Sequence, residues 1–382
     1  MNIERAFPCV ADMKQAARRR VPKFAFDYLS GGIGRGLGLD TNRRTLDAVQ
    51  FLPRYLSSEA DNPDCSRSIL DIQYDAPFGV APVGLGGLIW PRAAEYLALA
   101  AREYNIPFTL SSFATTSLEH IAEVSEGHAW YQHYVTVDKH INESTLERAL
   151  HAGYSVLVIT VDVPAPTRRD HDIRNGLSVP PRFDASTVWR ILARPEWALA
   201  VARAGLPQFE NLTPYYPGKM NLDDVGKFLT EILDAHVSIE HLKWFRDRWP
   251  GKLVVKGVLH PDDAVKCQSI GVDALVVSNH GGRQLDKVPS PLEVLPAIRQ
   301  AVGTEYPLLA DGGARTGLDI ASFLAHGADF VLLGRAFMYA VAALGQPGAA
   351  HVMSVLTQEL KISMGQIGAP TINRLPEFLM PR

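Results

Sequence analysis

Cysteine is scarce in this chain of 382 residues: Cys9, Cys65 and Cys267 are odd in number and far apart. That excludes a disulfide framework or a cysteine metal cluster and fits free thiols in a reducing compartment. An excess of either charge is also missing, with 38 Lys+Arg against 41 Asp+Glu and a formal net charge of −3. The electrostatic footprint of a nucleic-acid binder is therefore absent. The one basic run, Arg18-Arg19-Arg20, ends a short helical pattern and reads as a solvated helix end. No apolar run approaches the length of a membrane span. The N-terminus, MNIERAFPCVADMKQ, carries acids and has no apolar core of signal-peptide length, so the expected location is the cytoplasm. No HxH or HExxH occurs, and VGLGGL (83–88) is not the GxGxxG of a doubly wound nucleotide-binding sheet.

What is present is apolar and periodic. Apolar residues make up 47% of the chain, enough for a sizeable core. Eight short β-rich runs alternate with helical patterns: GVAPV (79–83), PFTLSS (107–112), AWYQHYV (129–135), SVLVITVD (155–162), LVVKG (253–257), DALVVS (273–278), PLLAD (307–311) and DFVLLG (329–334). Most are continuously apolar, as parallel strands covered on both faces should be. Thr116–Glu119, Ser144–Glu147 and Ser290–Glu293 have the spacing of helix capping boxes, and Gly153 and Gly271 stand where a helix stops before the next strand. The expectation is one α/β domain over residues 1–382, a (β/α)8 TIM barrel. Its parts would be an N-terminal helical segment over about 1–75, the barrel over about 76–350, and an extended lid loop after strand four over about 175–235. That lid carries Trp189, Ile191, Leu192, Trp197, Leu199 and Val201 beside Arg190, Arg194 and Arg203. Two readings are open: an amphipathic helix covering the barrel mouth, or a surface that docks peripherally on the inner face of a membrane.

Active sites of such barrels stand at the C-terminal ends of the strands. Those ends read Val83-Gly84, Ser111, Gln132 with Tyr134, Thr160-Val161-Asp162, Lys256, Ser278-Asn279-His280, Asp311-Gly312-Gly313 and Gly334-Arg335. Polar groups at almost every tip are more than a structural barrel needs. Glycine-bared backbone followed by arginine after strands seven and eight suits a phosphate. Lys256 reads either as a Schiff-base lysine or as a fixed charge beside a cofactor anion. His280 lacks partner ligands for a metal and reads better as a general base oriented by a carboxylate such as Asp162. Arg169 and Arg283 suit a carboxylate substrate, although Arg168 and Arg169 could also be surface charges paired to Asp170 and Asp172.

SNHGGRQLD (278–286) resembles the active-site motif of the FMN-dependent L-2-hydroxy acid oxidising enzymes, a family that includes lactate and mandelate dehydrogenases and glycolate oxidase. The resemblance extends to VPKFAFDYLSGG (21–32), APVGLGG (81–87), TLSSFAT (109–115), YQHYV (131–135), ITVDVPAPTRRDHDIRN (159–175), VKGVL (255–259), LADGGARTG (309–317) and LLGRAF (332–337). It implies a flavin-binding barrel, usually a homotetramer, that oxidises a 2-hydroxy acid and passes the electrons to a quinone, another carrier or oxygen. It further implies His280 as the base, Asp162 as its partner, and Arg169, Arg283 and Tyr28 as carboxylate holders, with Tyr134 near the substrate hydroxyl. Val83, Gly84, Ser111, Gln132, Thr160, Lys256 and Ser278 match contacts to the flavin. Lys256 then lies by N1 and O2 of the ring, which favours its electrostatic reading. Asp311, Gly312, Gly313, Arg315, Gly334 and Arg335 match the ribityl-phosphate end.

Four departures from the family pattern stand out. Gly84 occupies a position that is alanine in several oxidases and glycine in several dehydrogenases, which leans towards a dehydrogenase. Phe113 stands where glycolate oxidase has tryptophan, so a medium ring bounds the substrate pocket. His133 replaces the usual leucine and, by strand alternation, should point away from Gln132 and Tyr134. The acidic pair that often follows the YxxGG motif is missing from GGIGRGLGLD.

Overall fold

All eight apolar runs become parallel strands of one closed barrel in the computed structural model, which describes residues 2–56, 61–164, 167–175, 185–216, 228, 231–233 and 236–381. A two-stranded hairpin of β1 (Arg67–Ile69) and β2 (Ile72–Tyr74) precedes them. The barrel strands are β3 (Phe78–Val80), β4 (Phe108–Ser111), β5 (Ala129–Tyr134), β6 (Val156–Thr160), β7 (Lys252–Val258), β8 (Ala274–Val277), β9 (Leu308–Asp311) and β10 (Phe330–Leu333). Each strand pairs with its sequence neighbour, and β10 closes on β3. Helices cover the outside, so β4, β6, β8, β9 and β10 are buried at every position. Continuous apolarity, rather than alternation, is the sequence consequence.

Helix starts follow capping chemistry, with two corrections. Ser290 and Glu293 make both bonds of a capping box at the start of the helix Pro291–Val302. Ser117, rather than Thr116, caps the helix Leu118–Ser125. Ser144–Glu147 caps nothing: it lies within the helix Lys139–His151, whose first turn is held by the carboxylate of Asp138 accepting from His140 N–H. An acidic cap six positions upstream started the helix before the serine was reached.

The N-terminal segment is not purely helical. After α1 (Ile3–Ala6), α2 (Val10–Arg20), α3 (Lys23–Ser30) and α4 (Leu37–Asp47), the β1–β2 hairpin turns at Leu70 and Asp71, with φ of 53° and 64°. Such turns usually carry Asn-Gly, and its absence hid the hairpin from the sequence. Ile69, Leu70 and Tyr74 join Trp130, Val156, Val254, Ala274 and Phe330 in the core that fills the barrel from its closed end. The Trp130 indole N–H donates to the Tyr74 hydroxyl at 3.1 Å. Arg20 is not simply a solvated helix end: it stacks on Trp90 at 3.8 Å and pairs with Glu196 at 2.7 Å.

The long connection after β6 contributes helices at Ala185–Leu192 and Pro195–Ala204. Trp197 anchors the second, buried with its N–H on the carbonyls of Leu88 and Ile89 and its ring edge-on to Phe24 at 5.7 Å. Trp189 and Leu192, in contrast, are 71% and 65% exposed. Of the expected lid, residues 176–184, 217–227, 229–230 and 234–235 lie outside the described residues. No helix among the described residues is long and apolar enough to cross a membrane.

Tyr74→Phe should remove the partner of the buried Trp130 N–H and cost about 1–3 kcal/mol. A denaturation midpoint equal to the parent's would contradict the role given to this plug.

Candidate active site

β8 runs straight into the most constrained backbone of the mouth. After Ser278 and Asn279, the residues His280, Gly281 and Gly282 are all left-handed, with φ of 55°, 61° and 74°. The histidine conformation costs on the order of 1–3 kcal/mol unless its surroundings hold it. They do: Ser278 Oγ accepts the His280 N–H at 3.0 Å, and the Asn279 carbonyl accepts the Gly282 N–H at 3.0 Å. The turn sets His280 against the tip of β6, where Nδ1 lies 2.8 Å from Asp162 Oδ1. With Nδ1–H given to the carboxylate, Nε2 keeps the lone pair that can accept a proton. Burial alone would raise the Asp162 pKa, but His280 and Lys256 outweigh it and hold the carboxyl below its ordinary value. Gly257, at φ 110°, permits this approach, since a Cβ there would sit 2.5 Å from that of Asp162.

His280 lines a cavity of about 430 Å³ over the strand tips. Arg169 and Arg283 line it from the loops after β6 and β8, and Tyr28, Phe113 and Tyr134 form its aromatic wall. Arg283 lies over the Tyr28 ring at 5.0 Å and donates to the carbonyls of Tyr28 and Gly31 at 2.7 and 3.1 Å. Its pKa is pushed down by burial and then by the neighbouring charge of Arg169. Arg169 makes a loose ion pair to Asp172 at 3.7 Å, while its buried Nε has no hydrogen-bond partner. Asp170 pairs with Arg174 instead, so the surface-pair reading holds for Arg169 only in part. Two mutually repelling guanidiniums in one pocket suit an anion that bridges them. Tyr134 stacks near Phe113 at 4.7 Å; burial and the Asp162 charge raise its pKa, so the phenol stays protonated.

Below this wall lies a second, more polar zone. Lys256 Nζ sits 2.9 Å from both Asp311 Oδ2 and Ser278 Oγ. Burial alone would lower its pKa, but Asp311 and Asp162 hold the ammonium above the ordinary lysine value. A charged amine is no nucleophile, so the pairing with Asp311 weighs against the Schiff-base reading of Lys256. Around it several buried polar atoms have no partner within the protein: both atoms of the Gln132 amide, Thr160 Oγ1 and Asp311 Oδ1. Buried polar groups left open in this way call for a polar ligand. At the far end Gly312 and Gly313, with φ of 106° and 108°, bare their backbone beside Gly334, Arg315 and Arg335. Burial lowers the pKa of Arg315, and burial together with Arg283 and Arg315 brings Arg335 down to about 9. Arg335 also braces the protein itself, donating to the carbonyls of Leu29, Gly281 and Gly31 at 2.7–2.9 Å. One N–H on each terminal nitrogen is left for a ligand.

Val83 and Gly84 form the rim between the two zones, and Ser111 Oγ stands 3.9 Å from where a Cβ on Gly84 would be. His133 faces the helix layer, bonded through Nε2 to Asn142 Oδ1 at 2.9 Å and packed on Phe245, as strand alternation predicts. Burial lowers its pKa to about 4, so it stays neutral. Sequence reasoning missed Phe209 and Leu233, which reach the cavity from the long connection; Phe209 meets Phe113 edge-on at 5.8 Å. They lie beyond any strand tip and carry no motif.

A sequence model described as FMN-dependent dehydrogenase matches residues 17–380. The chain is 40% identical over 364 residues to an L-lactate dehydrogenase of Xanthobacter autotrophicus, covering 95% of this chain and 93% of that one. It is 36% identical over 371 residues to an (S)-mandelate dehydrogenase of Pseudomonas putida, covering 97% and 93%. A solved structure described as a monotopic membrane protein, (S)-mandelate dehydrogenase, superposes with a TM-score of 0.93 at 36% identity, covering 98% of this chain and 99% of that one.

Proposed function

The chain belongs to the FMN-dependent dehydrogenase family, and from that premise we propose that it oxidises an L-2-hydroxy acid of the lactate or mandelate kind to the 2-oxo acid, with His280 as the base. The observation that carries this reading is the His280–Asp162 pair at 2.8 Å beside the facing cations Arg169 and Arg283. The open polar atoms around Lys256 and the glycine–arginine end of the cavity fit FMN, with Arg315 and Arg335 for its phosphate and Gln132, Thr160 and Ser111 for its ring. When bound, FMN supplies the acceptor for two electrons.

The protein's own part is positioning and proton handling. Arg169 and Arg283, with Tyr28 stacked on the latter, clamp the substrate carboxylate. Tyr134, kept protonated, donates to the substrate hydroxyl oxygen. His280 Nε2 takes the proton released as the CH–OH group becomes a carbonyl, and Asp162 stabilises the imidazolium that results. Lys256 holds positive charge where the cofactor gains negative charge. Phe113, with Phe209 and Leu233, bounds the side-chain end of the pocket.

For the electron acceptor, Gly84 supports a quinone or another carrier. A Cβ there would press on that of Phe113 at 3.2 Å, so the glycine leaves room that an alanine would fill. The second reading is an oxygen-using oxidase. The exposed Val188, Trp189, Leu192 and Leu199, interleaved with Arg190, Arg194 and Arg203, support peripheral contact with an anionic membrane face. A relative described as monotopic agrees with that reading. The homotetramer is carried over from the family resemblance.

Anaerobic L-lactate or (S)-mandelate should bleach the flavin absorbance of the purified protein, and air should restore it slowly. His280→Ala should keep FMN and lose about 10²–10⁴-fold in bleaching rate. An unslowed variant would remove His280 from its role, and rapid recovery in air would favour the oxidase. Anionic liposomes at low salt should co-sediment the protein, and Trp189→Glu should weaken that association; no association with either form contradicts the membrane reading.

A further inference from the structure

The loop that presents His280 is held from outside the barrel, by a helix some 240 positions earlier in the chain. Asn42 on α4 and Asn279 are both buried, and their amides pair reciprocally. Asn42 Nδ2 donates to Asn279 Oδ1 at 2.9 Å, and Asn279 Nδ2 donates to Asn42 Oδ1 at 2.7 Å. Asn279 Oδ1 also accepts the Gly282 N–H at 3.2 Å, and its Nδ2 also faces the Pro289 carbonyl at 3.3 Å. The amide of Asn279 thus closes the left-handed turn around His280, and Asn42 fixes which way that amide faces. Rotated by half a turn, Asn279 would oppose an NH2 group to the Gly282 N–H.

A second tie lies seven positions further on in the motif. The residue that precedes α4 at its N-terminus is Gly36, which has no side chain to cap the helix's open N–H groups. Asp286 supplies the cap from the catalytic loop, accepting the Arg35 N–H at 2.9 Å and the Gly38 N–H at 3.0 Å. A carboxylate at a helix N-terminus is stabilising in both hydrogen-bond and dipole terms. Between the two ties the backbones touch. Ile33 N–H donates to the Gly282 carbonyl at 3.0 Å, and a Cβ on Gly282 would come within 2.8 Å of Leu39 N. Only glycine permits that approach.

We infer that Asn42 and Asp286 are positioning residues for the reaction, locking residues 279–286 onto α4 so that His280 is held in its left-handed conformation against Asp162. The inference rests on the role proposed for His280. Neither residue enters the cavity, and neither is placed to touch the substrate. They act through the turn they hold, and their loss affects the reaction rate more than the grip on the substrate, because Arg283 is anchored separately by Tyr28 and Gly31.

The test is anaerobic stopped-flow bleaching of the holoenzyme by a 2-hydroxy acid, with FMN content and thermal midpoint recorded on each sample. Asn42→Leu keeps the bulk and removes both amide bonds. The limiting bleaching rate per bound FMN should fall about tenfold to a hundredfold, while the apparent Kd of the acid stays within about threefold. A rate within about twofold of the parent's would overturn the inference even if the midpoint drops, because that is what a purely structural role gives. Asp286→Asn, which keeps one acceptor oxygen, reads the second tie should Asn42→Leu lose FMN. Its rate should fall about threefold or more, and an unchanged rate with FMN retained overturns the inference. A parent enzyme that no 2-hydroxy acid bleaches would instead sink the functional reading, and the inference with it.

Discussion

Buried positive charge is the constraint around which the mouth of this barrel is arranged. Arg169, Arg283, Arg315, Arg335 and Lys256 come together over the strand tips, and burial or mutual repulsion depresses the pKa of Arg283, Arg315 and Arg335. Uncompensated charge of this kind is costly in a protein interior. Under the proposed function three ligand anions would relieve it: a substrate carboxylate between Arg169 and Arg283, a phosphate by Arg315 and Arg335, and the electron-rich edge of the flavin by Lys256. Lys256 is balanced within the protein by Asp311 and Asp162, which keeps it charged and weighs against a covalent role.

The same constraint explains why the N-terminal segment is part of the site. Arg335 and Arg283 spend N–H groups on the carbonyls of Leu29, Gly31 and Tyr28, so the end of α3 is fastened to the barrel by the side chains that line the cavity. α4 then continues the attachment through Asn42 and Asp286. A barrel alone would present its strand tips; this segment sets the conformation of the loop between them.

Much of this was legible in the sequence because parallel strands buried on both faces are continuously apolar, and their polar ends stand out against that background. All eight strands and the His280, Asp162, Lys256, Asp311 and Arg335 tips could be located in that way. What escaped has physical reasons. The β1–β2 hairpin turns through Leu70-Asp71 without the glycine that marks such turns. Ser144 carries the spacing of a cap, but Asp138 had already started the helix. Phe209 and Leu233 reach the cavity through the fold of a long connection, and the pairing of Asn42 with Asn279 joins residues that no local pattern relates. Long-range contacts of that kind exist only once the chain has folded.

The proposed proton transfer depends most directly on the bond between His280 Nδ1 and Asp162. Asp162→Asn preserves the shape of that contact and removes the negative charge that stabilises the protonated imidazole. The decisive measurement is the limiting rate of anaerobic flavin bleaching in this variant, alongside the apparent Kd of the 2-hydroxy acid. The rate should fall by about 10²–10⁴-fold with the Kd little changed. A rate equal to the parent's would show that the proton goes elsewhere, and the central role given to the pair would be wrong.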